Sequence, residues 1–329
     1  MLRRCALIQG RIQKFLVSQY FTQSIICSSI PISWVEYMTK TFAVIGGDLR
    51  NLKLAEHLAE DGHSVKIFGF KNIEISPKVT DATSLEEAIK DSDVVVGPIP
   101  CSKDEQTINC TFYNLKIYID DVLRSMNKEQ IFVAGFLSEN IIHLCQNYEL
   151  ECHDILKREE MSVLNAIPTA EGAIQIALEE MPTTLHDSKV LVMGYGRIGK
   201  VLSKMLHGMG AKVYAAARKY SDLAWIETMG YVPIRTSEIS TYLDTFDVIF
   251  NTIPHVVLEA KELRNVRKDS LIIDLASKPG GINFEKAKEL GVKTIWALSL
   301  PGKVAPVSAA RYMKDTIYNI LNEEGKLST

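Results

Sequence analysis

Three glycines carry the plainest chemistry in this chain. They are spaced as Gly194-Tyr195-Gly196-Arg197-Ile198-Gly199, directly behind the apolar run Lys189-Val-Leu-Val-Met193 and ahead of a helical stretch to His207. Spacing of this kind is weak by itself. Here a strand precedes it, a helix follows, and a second strand ends about 20 residues on, which is the context of a dinucleotide fingerprint. Gly194 permits the tight turn, Gly196 lets the backbone approach a pyrophosphate, and Gly199 allows the helix to pack closely on the strand. The pyrophosphate then rests on the amides and the positive dipole end of that helix. Tyr195, Arg197 and Ile198 are counted with the glycines as cofactor contacts.

At the end of the second strand, a site for NAD places a carboxylate on the ribose 2′-hydroxyl. This chain reads Ala215-Ala216-Ala217-Arg218-Lys219 instead. Arg218 can fork onto a 2′-phosphate, with Lys219 adding charge and Ser221 a hydrogen bond, so NADP is expected ahead of NAD. Two further strand ends belong to the same edge. Asn251-Thr252-Ile253-Pro254 is expected beneath the nicotinamide ribose, and Asp274-Leu-Ala-Ser277-Lys278-Pro279-Gly280-Gly281 near the nicotinamide ring. For Asn251 and Pro254 a purely structural turn explains the residues equally well. Lys278, a cation beside Pro-Gly-Gly, is expected to touch substrate or cofactor.

The elements that must position these residues follow from an alternation of β-branched runs with helical segments, the pattern of parallel sheets covered by helices. In the first half the strand candidates are 41–45, 64–68, 93–96, 130–134 and 151–155, with helices over 49–61, 84–90 and 138–148. Ser84 and Glu87 are spaced as a capping box for the second of these helices. A longer helical region over 159–180 is expected to break at Pro168. Six strands follow, at 189–193, 212–216, 231–234, 247–251, 271–274 and 293–297, and an amphipathic helix over 308–323 ends the pattern.

At 329 residues the chain can bury two cores. The expected architecture is α/β, two doubly wound parallel-sheet domains of which the second is a Rossmann domain. The expected plan is a leader over 1–38, a substrate domain over 39–157, a connecting helical region over 158–186 and a dinucleotide domain over 187–302. Residues 303–329 form a terminal helix packed back on the first domain.

Composition excludes several other classes. The hydrophobic fraction is 47%, the charged fraction 23% and the net charge −3, as in an ordinary globular protein. No concentrated Lys/Arg face exists to neutralise phosphates, so nucleic acid is not an expected partner. No apolar run reaches the roughly 20 residues of a bilayer span. The six cysteines form no C-x-x-C pair and are read as reduced thiols of a cytoplasmic protein, Cys101 being an apolar filler after a strand end. No metal is expected. The leader carries Arg3, Arg4, Arg11 and Lys14 with no acid before Glu36. A start at Met38 or an unstructured tail is favoured there over a transit peptide.

Several strings are more specific than any nucleotide fingerprint. Ala43-Val-Ile-Gly-Gly-Asp48, Asn165-Ala-Ile-Pro168-Thr169-Ala-Glu171-Gly172, the 194–199 loop, the 274–281 loop and Leu300-Pro-Gly-Lys303-Val-Ala-Pro306 occur in order from about Met38 onward. Together they resemble the A-subunit family of dipicolinate synthase. The resemblance implies formation of pyridine-2,6-dicarboxylate for endospores, in the mother-cell cytoplasm, from a hydroxy-tetrahydrodipicolinate of the lysine pathway. It also implies partnership with a flavoprotein-like B subunit. A dicarboxylate substrate needs cations, and Arg158, Lys278 and Lys303 are the candidates, with Asn165 and Ser277 as further substrate contacts. Glu171 is the candidate proton acceptor or an exposed helical acid. Thr169 either orients a substrate carboxylate or ring nitrogen or caps a helix.

A more distant likeness is to the D-2-hydroxyacid dehydrogenases. The chain departs from them in carrying Lys278 where they carry Arg, and in having no histidine after His255. Two alternatives stay open: an NADP-dependent dehydrogenase of another small carboxylate, and a non-catalytic nucleotide-binding subunit. The apolar stretch Ala173-Ile-Gln-Ile-Ala-Leu178 fits either a homo-oligomer contact or packing inside one chain.

Overall fold

The computed structural model of the chain describes residues 39–327, and the expectations for the leader lie outside them. The first sheet is built from β1 (Thr41–Ile45), β2 (Ser64–Phe68), β3 (Thr80–Asp81), β4 (Val94–Val96), β5 (Ile131–Ala134) and β6 (Glu151–Asp154). Its helices are α1 (Leu49–Glu60), α2 (Leu85–Ile89), α3 (Ile119–Arg124) and α4 (Glu139–Asn147). A short 3₁₀ turn leads into α5 (Glu159–Glu180).

The second sheet contains β7 (Lys189–Met193), β8 (Lys212–Ala217), β9 (Val232–Arg235), β10 (Val248–Asn251), β11 (Leu271–Asp274) and β12 (Lys293–Trp296). Around it lie α6 (Arg197–Gly208), α7 (Tyr220–Thr228), α8 (Ala260–Leu263) and α9 (Phe284–Glu289), and the pattern closes with α10 (Leu300–Val304) and α11 (Pro306–Glu323). The strand orders are β3-β2-β1-β4-β5-β6 and β12-β11-β10-β7-β8-β9, with every pairing parallel. Written from the third strand of each half, both are the 3-2-1-4-5-6 order of a Rossmann sheet.

The central strands form because both their faces are covered. Phe42, Ala43, Val44 and Ile45 of β1 and Val190, Leu191, Val192 and Met193 of β7 are sealed from solvent, as continuous apolar runs in a parallel sheet must be. Two small elements, β3 and α10, had no apolar run to announce them. At α2, Ser84 accepts the Glu87 N–H at 3.2 Å. The Glu87 carboxylate, however, takes the N–H of Thr83 at 2.7 Å, so the reciprocal half of the box reaches one residue further back.

The expected break at Pro168 does not occur, and α5 runs through it for 22 residues. Proline in a helix interior costs about 3 kcal/mol through its missing N–H and ring clash. Burial of Ala166, Pro168, Ala170, Gly172, Ala173 and Ala177 along this helix outweighs that cost. The terminal helix α11 packs on α1 and α5. Tyr318 donates to Asp61 at 2.8 Å and lies edge-on to His63, while Lys314 pairs with the same Asp61.

Candidate functional site

At the carboxyl edge of the second sheet a groove of about 430 Å³ opens between the β7–α6 turn, the end of β8 and the end of β10. Two of the turn's three glycines, Gly194 and Gly199, are required by the fold itself. Gly194 has φ +94°, and a Cβ there would lie 2.4 Å from the Thr252 hydroxyl, which itself donates to the Met193 carbonyl at 2.9 Å. A Cβ on Gly199 would sit 2.0 Å from the Gly194 carbonyl oxygen, so only glycine lets α6 lie this close to the strand.

Gly196 is different. Its φ is −82° and a Cβ there would meet nothing within 4 Å. Neither backbone conformation nor packing requires a glycine there, and the space beside it is open. Gly196 is also the N-cap of α6 and supplies no side-chain cap. The first-turn amides of Arg197, Ile198 and Gly199 therefore have no partner among the described residues. Open space plus uncapped amides at the dipole's positive end fits a dinucleotide pyrophosphate.

Arg218 and Lys219 line the opposite side of the groove and are exposed. Ser221 lies beyond them on the first turn of α7 and does not line it. Three lining residues escaped the sequence argument: Asp222, Thr236 and His255. The Thr236 hydroxyl is buried with no hydrogen-bond partner among the described residues. The rule that ligands sit at strand ends could have found Thr236, which directly follows β9. Tyr195 lines the groove with its ring beneath Lys200 at 5.8 Å, and burial pushes its phenol pKa upward. The Arg197 guanidinium turns outward to Glu159 at 3.3 Å, which leaves its amide as the part facing a ligand.

Several expected contacts have other duties. Asn251 and Asp274 are fully buried, and their polar atoms are spent inside the fold. Asn251 Nδ2 donates to Asp274 Oδ1 at 2.7 Å and to the Ile253 carbonyl at 3.0 Å, and Asp274 Oδ2 accepts the Gly281 N–H at 2.7 Å. Their side chains brace the 274–281 loop. Trp296 adds a bond to the Ala276 carbonyl at 2.9 Å. Ser277 and Lys278 stand exposed on the loop so held, and Pro254 is exposed at the rim of the groove.

Arg158 is engaged by two carboxylates. Its guanidinium forks onto Glu323 at 2.7 and 2.6 Å and its Nε reaches Glu160 at 2.8 Å, which fastens the end of α11 to the start of α5. Thr169 is not a cap either. It lies inside α5 and donates to the Asn165 carbonyl at 2.8 Å, an i−4 back-bond directly after Pro168 of the kind that bends helices. The Asn165 Oδ1 is buried and unpartnered among the described residues. Glu171 is exposed. Beside it, a Cβ on Gly172 would lie 3.1 Å from Leu300 and 3.2 Å from Val304, so this part of α5 packs directly on α10. Lys303, on the same short helix, is exposed. Cys101 is fully buried at the first sheet's carboxyl edge, and burial pushes its thiol up to about 12, the behaviour of an apolar filler.

Two Rossmann-ordered sheets and an open glycine cradle define an NAD(P)-dependent oxidoreductase of the two-domain dehydrogenase class. The family descriptions agree: residues 168–279 match the NAD-binding domain of D-isomer specific 2-hydroxyacid dehydrogenases, and residues 41–156 match the N-terminal domain of the dipicolinate synthase A-subunit. The dipicolinate synthase A-subunit of Bacillus subtilis is 30% identical over 290 residues, which span 86% of this chain and 98% of that one. The chain belongs to the dipicolinate synthase A-subunit family. The crystal structure of the Bacillus halodurans member superposes with a TM-score of 0.80 at 30% identity, covering 86% of this chain and 97% of the other. The Bacillus subtilis structure gives 0.80 at 28% identity, covering 88% and 98%.

Proposed function

We propose that this oxidoreductase uses NADP to convert 4-hydroxy-tetrahydrodipicolinate to dipicolinate. Loss of water takes the hydroxy-tetrahydro acid to a dihydro acid; loss of a hydride and a proton from that ring then leaves the aromatic pyridine. Bound NADP supplies the hydride acceptor. The single observation that carries the reading is the Gly196 cradle, open where a Cβ would fit and lined by uncapped amides, with Arg218 and Lys219 across the groove. Those two cations and the absent carboxylate at the end of β8 favour the 2′-phosphorylated coenzyme.

The chain's own residues hold the ring and move the proton. The loop braced by Asn251, Asp274 and Trp296 presents Ser277 and Lys278, and α10 presents Lys303, as cations and donors for a dicarboxylate. Glu171, exposed beside the α5–α10 contact, accepts the ring proton. The same reading includes a place in the mother-cell cytoplasm of a spore former and a partner B subunit.

The test mixes the full chain with NADP and hydroxy-tetrahydrodipicolinate and follows reduced coenzyme, with and without the B subunit. Turnover that Glu171→Gln abolishes while coenzyme binding persists is the expected result. Turnover surviving that change removes Glu171 as the base. Coenzyme binding with no turnover in either mixture overturns the reaction and leaves a nucleotide-binding subunit.

A further inference from the structure

We infer that Arg50 grips one carboxylate of the substrate and that Asp48 holds its guanidinium in position to do so. The inference rests on the dicarboxylate reading above and names the residue that enforces it. Arg50 lies just past the carboxyl end of β1, in a sheet ordered β3-β2-β1-β4-β5-β6. The chain leaves β1 and β4 in opposite directions, so the crevice where small ligands sit in such sheets lies between those two strand ends. Arg50 spans it: its Nη2 donates to the Ile99 carbonyl, just beyond β4, at 2.6 Å.

The guanidinium is held rigidly and left incomplete. Its Nε meets Asp48 Oδ1 at 3.0 Å and its Nη2 meets Asp48 Oδ2 at 2.8 Å. Only 6% of the residue is exposed. Yet Nη1 makes no hydrogen bond among the described residues and is not sealed from solvent. With Nε and both hydrogens of Nη2 spent on Asp48 and Ile99, the planar group is fixed and Nη1 is left to donate to a second carboxylate. A flexible surface cation has no such orientation.

The second sheet arrives at the same place. Helix α10 follows β12, and a Cβ on its Gly302 would fall 2.9 Å from Arg50 Nε and 3.1 Å from Asp48 Oδ2. Glycine at 302 therefore lets α10 lie directly on the Asp48–Arg50 fork, and the exposed Lys303 comes next in the chain. The carboxyl edges of both sheets thus meet at a buried, oriented guanidinium that the coenzyme groove does not include.

The experiment compares binding of dipicolinate and of the monocarboxylate pyridine-2-carboxylate to the full chain with NADP present, alongside the KM for hydroxy-tetrahydrodipicolinate. In the unmodified chain the dicarboxylate binds more tightly. Arg50→Met brings the two ligands to nearly equal affinity, raising the dipicolinate Kd by ~10- to 100-fold, as loss of a charge-assisted pair does. Arg50→Lys, which keeps the charge and loses the fork, gives part of that loss, and the NADP Kd stays the same in both. Should loss of the buried fork unfold these variants, Asp48→Asn decides: it frees the guanidinium without removing it and lowers the dicarboxylate preference. A folded variant at either position that keeps both the preference and the KM overturns the assignment of Arg50. An unmodified chain that neither binds dipicolinate nor turns over the hydroxy acid overturns the reaction on which the assignment rests.

Discussion

The chain contains two glycine turns at equivalent places, and they do opposite things. Gly46-Gly47-Asp48 follows β1 and Gly194-Tyr-Gly196 follows β7, each behind the first strand of a sheet of the same order. In the first, side chains fill the turn. A Cβ on Gly46 would lie 2.4 Å from the Cys110 sulfur, and one on Gly47 2.3 Å from the buried Asn51. The helix start is capped by the Asp48 carboxylate, which accepts the Arg50 N–H at 2.9 Å. An anion is already built into that turn. In the second, Gly196 opens on free space and the cap is missing. Topology offers the same crevice twice; the residues decide that one stays open with uncapped amides and the other is filled by a carboxylate and its cation.

The comparison breaks first, and hardest, at Gly199. Gly199→Ala drives a Cβ to 2.0 Å from the Gly194 carbonyl, so α6 must move off β7. Thermal denaturation should show a loss of about 1–3 kcal/mol, the usual cost of overpacking, and calorimetry a fall of ~100-fold or more in coenzyme affinity.

A matched pair of substitutions sharpens it. Gly46→Ala faces both a φ of +61° and the Cys110 sulfur, so it should cost about 1–3 kcal/mol of stability with coenzyme affinity unchanged. Gly196→Ala should do the reverse, leaving stability within about 0.5 kcal/mol, as surface changes do, while weakening coenzyme binding by ~10-fold. Equal stability losses in the two variants would mean that the second turn is as packed as the first.

Arg218→Ala addresses the far side of the open groove. NADP affinity should drop by ~10-fold while NAD affinity holds, because only the 2′-phosphate loses its partner. An equal loss for both coenzymes would move Arg218 onto the shared pyrophosphate.

The smallest effect is expected at Arg158, which serves the frame of the molecule and neither turn. Its guanidinium holds the Glu323 carboxyl below its ordinary value of 4.5. A depressed carboxylate stabilises the fold above that value and ceases to as pH falls through the lowered one. The melting temperature of Arg158→Ala should therefore lie slightly below that of the unmodified chain at neutral pH, and the gap should close in acid.

Strands were legible where residues are buried on both faces. β1, β7 and β11 each hold four consecutive buried residues, because a parallel sheet covered on both faces removes such short apolar runs from water. The glycine turn was legible for a related reason: the positive φ of Gly194 and the approach of Gly199 to the Gly194 carbonyl are local, and local geometry is written in adjacent residues. Pro168 misled because its cost is local while the burial that offsets it is spread along a helix packed on distant elements. The pairing of Asn251 with Asp274 was not legible, since a polar residue at a strand end reads the same whether it faces a ligand or a side chain 23 residues along the chain. Nothing near Arg158 foretold Glu323, 165 residues away.

By itself the sequence determined the periodicities, and from them the two sheets, their class and the position of the open turn. Each of these depends on residues within one turn of helix or one strand of one another. Only the tertiary structure decided which polar groups remain free for a ligand. Whether Arg158 is spent on Glu323, Asn251 on Asp274, or Arg50 Nη1 on no partner among the described residues depends on which distant element arrives beside it. That is settled by the packing of whole elements.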